Sequence, residues 1–199
     1  MHLSAPAIVC ASRPQGETGV IVRLLTAQHG LIAAYVAGGR GRQLRPVLIP
    51  GNLVAAELTA RPGSQLPSAR LELTHSRGAW LSEPLPAAAI VWVTALSAAA
   101  LPQRQAYPAL YQALAALLDA ICAAPSARGW VAGMLSFETL LLRELGFGTP
   151  VPRPGSDDWP TLLECFDRLG AALGRYPLAE RQSDVMAARA MLRERLGRI

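Results

Sequence analysis

Arginine and glycine are concentrated in one short stretch, Gly38-Gly39-Arg40-Gly41-Arg42-Gln43-Leu44-Arg45, and the chemistry they offer is anion binding. An arginine side chain presents a planar, permanently charged fork of donors that matches phosphate and carboxylate. Glycine lets the backbone take φ > 0 or approach a ligand closely. The stretch therefore reads as a flexible cationic loop suited to gripping a phosphate backbone, with Arg40, Arg42 and Arg45 as its contacts. Arg13 and Arg23 lie upstream as further candidates, and strand direction decides whether each is exposed. The chain has no lysine, so all 19 basic residues are arginine. Residues 1–84 carry eight Arg against four Glu, whereas residues 85–199 carry eleven Arg against ten acids. That excess favours an acidic partner for the first part of the chain.

No catalytic constellation accompanies this loop. His2, His29 and His75 are isolated and lack the HExxH spacing of a metal site. There is no GxSxG elbow, and the glycine stretch does not end in the GK[ST] of a nucleotide-binding loop. Cys10, Cys122 and Cys165 are scattered singletons, which suits buried thiols in a reducing compartment better than a disulfide framework or a metal site. The expectation is a protein without enzymatic activity, cofactor or metal.

The elements that must hold the loop follow from the apolar runs. Ala7–Ala11, Val20–Thr26 and Leu31–Ala37 are short, rich in Val, Ile and Leu, and separated by Pro14-Gln15-Gly16 and His29-Gly30. Two more strand-like runs follow, Leu53–Ala60 and Ala69–Thr74, so five strands precede residue 80. Five strands at this spacing fit a small closed barrel, which removes exposed edges. An OB-type barrel is the commonest such object, and an SH3-like barrel fits the count as well. From Pro84 the pattern turns helical, which places the boundary near residues 78–86 and divides the chain into 1–80 and 81–199.

In that second part, Leu85–Leu101 has no charge but is alanine-rich and short for a membrane span, and reads as a buried helix. Helical steps recur over Tyr107–Ala124 and over Trp130–Leu145, the latter ending at Gly146 as a C-terminal cap. Asp157 and Asp158 ahead of Pro160 start another helix, and Ser183-Asp184 start a last one whose exposed face carries Arg189, Arg193 and Arg195. No signal segment is apparent at the N-terminus, and a cytoplasmic protein is expected. The fold class is α+β, with an N-terminal five-stranded β-barrel followed by an α-helical domain.

The order AIVxxSRPxGETxxIVRLLTxxHGLIAAYVxGGRGRxLRPVLxPGN, from Ala7 to Asn52, resembles the N-terminal domain of the RecO family of bacterial recombination mediators. Tyr107-Pro108-Ala109-Leu110-Tyr111, and Phe137-Glu138 through Leu145-Gly146-Phe147-Gly148, resemble two helical stretches of the same family. The resemblance implies an OB-fold followed by a helical domain. It also implies binding to single- and double-stranded DNA, annealing of complementary strands, and cooperation with RecR to load RecA onto strands coated by the single-stranded-DNA-binding protein. The C-terminal tail of that protein would dock in the helical half, and the setting would be the bacterial nucleoid. Where many relatives carry a cysteine-rich zinc segment, this chain has Thr149-Pro150-Val151-Pro152-Arg153-Pro154, so a zinc site is not implied. An OB-fold RNA or tRNA binder and a protein-interaction scaffold are the alternatives.

Overall fold

Alternation sorts the strand residues into two sets, and here both sets are apolar. In β1 (His2–Gln15), Ala7 and Val9 belong to the barrel interior while Ile8 and Cys10 face the other way, and all four are buried. In β2 (Gly19–Thr26), Val20, Val22 and Leu24 point inward and Leu25 outward; in β3 (Gly30–Val36), Ile32, Ala34 and Val36 point inward and Leu31 outward. The computed structural model describes residues 2–60, 63–148, 158–179 and 182–199. With β4 (Leu53–Thr59) and β5 (Ser68–His75), the strands close into a barrel in the order β1-β2-β3-β5-β4. This is the OB-type arrangement: the β3–β5 seam is parallel and rests on one pair, Tyr35 with Ser68.

β1 is longer than the apolar run Ala7–Ala11 because it serves two neighbours. Its first half, His2–Ile8, pairs with β4 and its second half with β2, and the register shifts between Val9 and Ala11 where it changes partner. The edge of β3 beyond the seam is covered from the helical half. Leu31 bridges to Gln103 and accepts from the Arg104 amide at 2.9 Å, and Gly30 (φ +66) lies so close to the Gln105 backbone that any side chain would collide.

A short 3-10 turn (Gly78–Ser82) leads into α1 (Pro84–Ala100), α2 (Pro108–Ala123), α3 (Val131–Glu144), α4 (Trp159–Arg175) and α5 (Gln182–Leu196). Proline at the start of α1, α2 and α4 needs no amide partner there. Asp158 caps α4 by accepting from the Thr161 amide at 3.1 Å, whereas Asp157 lies outside the described residues. Gly146 ends α3 with φ +83: its amide reaches the Arg143 carbonyl and the Phe147 amide reaches Leu142, the paired bonds of a Schellman cap. Among the described residues, no helix is long and apolar enough to cross a membrane.

Barrel and helices share a core. Ile8, Cys10, Leu25 and Leu31 on the outside of the barrel are buried in the same cluster as Trp92, Leu96, Leu118 and Phe166. Within this cluster lies a correction to the charge pattern. Arg189 is not on an exposed face with Arg193 and Arg195 but is 4% exposed, paired with fully buried Glu138 at 2.8 Å. Trp92 Nε1 donates to the same carboxylate at 2.7 Å, and the guanidinium lies 3.7 Å from the centroid of the Phe166 ring. Helical spacing shows which residues share a face but not what the face meets, so a partner on α3 was invisible to it.

Candidate nucleic-acid interface

The cationic loop is tied back by hydrogen bonds and by packing. After β3, the amides of Arg45 and Leu48 bond back to the carbonyls of Gly41 and Leu44 at 2.9 and 3.1 Å, which makes a helical turn. Val47 and Leu48 from this turn, with half-buried Leu44, pack into the barrel interior against Val20 and Val36. Gly38 serves the turn and Gly39 the packing. Gly38 takes φ +65, and a Cβ on Gly39 would press on Val20 at 2.8 Å. The loop thus plugs the barrel with its apolar side and leaves its arginines outside.

Arg40 joins the loop to the β1–β2 turn. Its amide donates to the Thr18 carbonyl at 3.1 Å, and its guanidinium donates to the carbonyls of Glu17 at 3.0 Å and Gly16 at 3.4 Å. Arg42 and Arg45 are exposed and have no ion-pair partner among the described residues. Their charge is available to an anion, whereas part of Arg40's donor capacity is used in positioning the turn.

Asn52 fixes the far end of the loop. Fully buried, it donates from Nδ2 to the carbonyls of Pro46 (2.8 Å) and Val47 (3.3 Å), and accepts at Oδ1 from the Arg77 amide (2.8 Å). Buried Arg77 in turn donates to the Gly51 carbonyl and pairs with Asp119 on α2. A chain of polar contacts therefore runs from the loop to the helical half. Truncating Asn52 strands two carbonyls and an amide. Asn52→Ala is expected to lose about 3–4 kcal/mol of stability, each of the three stranded groups contributing near the low end of about 1–3 kcal/mol. Urea unfolding checks this, and an unshifted midpoint would show that the side chain does not hold the loop.

The remaining candidates lie on the outside of β1, β2 and β3, in successive cross-strand rows. Ala11, Arg23 and Ala33 form one row, and Arg13, Ile21 and Tyr35 form the next. The structure separates them. Half-buried Arg23 donates to the Ala98 carbonyl in the last turn of α1, where a cation also meets the negative end of the helix dipole. It is turned toward the helical half. Arg13 is exposed on the row that the helices leave uncovered, just ahead of the turn held by Arg40. Two residues were missed by reading the loop alone. Tyr35 is the outward residue of β3 on this row, out of phase with inward Ile32, Ala34 and Val36. Arg70 is exposed on β5, two positions past the Ser68 that pairs with Tyr35, with Glu57 as its cross-strand neighbour. Strand parity was the available signal for both.

Elsewhere the chemistry is quiet. Cys10 and Cys165 are buried and Cys122 half-buried, all free, and burial pushes the Cys10 thiol up to about 12. Among the described residues no three His, Cys, Asp or Glu side chains gather as a metal site, and the cysteine-free stretch 149–154 lies outside them.

Two family models match the chain: Recombination protein O N terminal over residues 1–77, and Recombination protein O C terminal over residues 82–152. The DNA repair protein RecO of Rhodospirillum centenum is 44% identical over 149 residues, covering 74% of this chain and 58% of that protein. That of Phenylobacterium zucineum is 42% identical over 149 residues, covering 74% and 60%. That of Rhodospirillum rubrum is 38% identical over 191 residues, covering 93% and 75%. The chain thus spans about three-fifths of the length of the first two relatives and three-quarters of the third.

Proposed function

This chain belongs to the RecO family, and from that premise we propose that it is a non-enzymatic mediator of DNA repair and recombination, acting on the nucleoid in the cytoplasm. It binds single- and double-stranded DNA at the barrel end formed by Arg13, Arg40, Arg42 and Arg45. The observation that carries this reading is the pair Arg42 and Arg45, exposed on a loop that is anchored through buried Val47, Leu48 and Asn52. Cations on a fixed support neutralise phosphates without first paying the entropy of ordering a loop. Neutralising two strands at once lowers their mutual repulsion, which is what annealing requires.

The helical half takes the partner roles: RecR, and the acidic, hydrophobic tail of the single-stranded-DNA-binding protein, so that RecA is loaded onto coated strands. A groove with an apolar floor of Pro84, Leu85 and exposed Met191 is rimmed by Arg195, and by Arg198 paired with Glu194, so Arg195 is the cation it offers such a tail. Annealing of complementary oligonucleotides, with and without the single-stranded-DNA-binding protein, tests the proposal. Annealing is expected to accelerate with the protein and to weaken as salt rises. Absence of any salt-sensitive DNA binding would favour a protein scaffold, and preference for RNA over DNA of equal length would favour an RNA binder.

A further inference from the structure

Tyr35 is placed where charge alone does not explain it. It stands on the uncovered row of the barrel's outer face, between Ile21 on β2 and the β5 seam at Ser68, with exposed Arg13 at the far end of the same row. The distal part of its ring occupies the space that a side chain on Gly19 would fill, so the ring leans over the β2 backbone toward the turn tied down by Arg40. Its hydroxyl has no hydrogen-bond partner among the described residues, although tyrosines that serve a core usually find one. The helical half stops one row short of it, at Arg23 and Ala98. An aromatic ring on a strand face, half-buried by its own sheet and with an exposed arginine along its row, is the arrangement that stacks an unpaired base while cations hold its phosphates.

We propose that Tyr35 is the stacking platform for a base of single-stranded nucleic acid, and that it gives this barrel a preference for single strands that the arginines by themselves do not supply. This rests on the nucleic-acid reading of the arginine cluster and adds a second kind of contact to it. A duplex keeps its bases stacked inside and offers the ring only backbone.

The test compares the full chain with Tyr35→Leu and Tyr35→Phe, on a thymine oligonucleotide, an abasic backbone of the same length and a duplex. Wild type is expected to bind the thymine strand at least about fivefold more tightly than the abasic strand, as one stacked base contributes. Tyr35→Leu is expected to lose that discrimination while keeping its duplex affinity and its salt slope, and Tyr35→Phe to retain it. Equal binding of thymine and abasic strands by wild type would overturn the proposal even if Tyr35→Leu failed to fold. So would a folded Tyr35→Leu that discriminates as wild type does. In either case salt-dependent binding through the arginines would still stand; no binding to any of the three would remove both.

Discussion

Glu138→Ala is expected to lower the stability of the whole chain by about 3–5 kcal/mol, because it leaves the Arg189 guanidinium buried without its counter-ion. The carboxylate is fully buried and accepts from Trp92 Nε1 and from Arg189 at both oxygens, so its removal also orphans the indole N–H. Against a typical total of 5–15 kcal/mol, that is a large fraction. For a chain of this size the melting temperature should fall by on the order of 10 °C. Replacing both ions by apolar residues, as in Glu138→Leu with Arg189→Met, should recover most of the loss, since the pair's attraction is largely offset by the desolvation of its members. Thermal unfolding followed by circular dichroism measures both, and a single variant as stable as wild type would show that Arg189 finds other partners. The Phe166 carbonyl, which already accepts from Arg189 at 2.6 Å, is too weak a substitute for a carboxylate.

Removal of Arg40, Arg42 and Arg45 together should have the largest effect on binding. For single strands each phosphate contact contributes about 0.7 to the slope of log K against log salt, so three lost contacts flatten it by about 2 units. Wild type and variant then differ most in dilute salt, on the order of several hundredfold near about 50 mM, and converge as salt rises. Because Arg40 also bonds the β1–β2 turn, the cleaner variant is Arg42→Ala with Arg45→Ala. It should flatten the slope by about 1.4 units with no change in unfolding midpoint. An unchanged slope in a folded variant would exclude the loop from the binding surface.

How much of this was legible beforehand depended on whether the deciding contact was local. Turn residues and short apolar runs gave away the strands, and Gly146 marked the end of α3, because caps and turns are set within a few residues. In the cationic loop, Gly38 takes the positive φ that its type allows, whereas Gly39 is a packing contact against Val20, which no local pattern announces. Asn52 follows Pro50-Gly51, the sequence context of a turn, but its burial and its bond to Arg77 depend on a segment 25 residues away. Arg189 was placed in solvent for the same reason. Tyr35 differs: its outward phase is present in the alternation of β3 itself, a local signal that needs no distant contact.

The ion pair inside the helical half has a temporal side. Glu138 leaves the ribosome 51 residues ahead of Arg189, a delay on the order of 3–10 s at roughly 5–20 residues per second. Throughout that interval the carboxylate has no cation to take into the interior, so Trp92 and Phe166 cannot close over it without a heavy desolvation cost. The nascent barrel meanwhile shows Ile8, Leu25 and Leu31 to the solvent on the flank that the helices later cover. Residues made first thus wait for a residue made late, and the newborn chain passes through a window in which its stickiest surface is open.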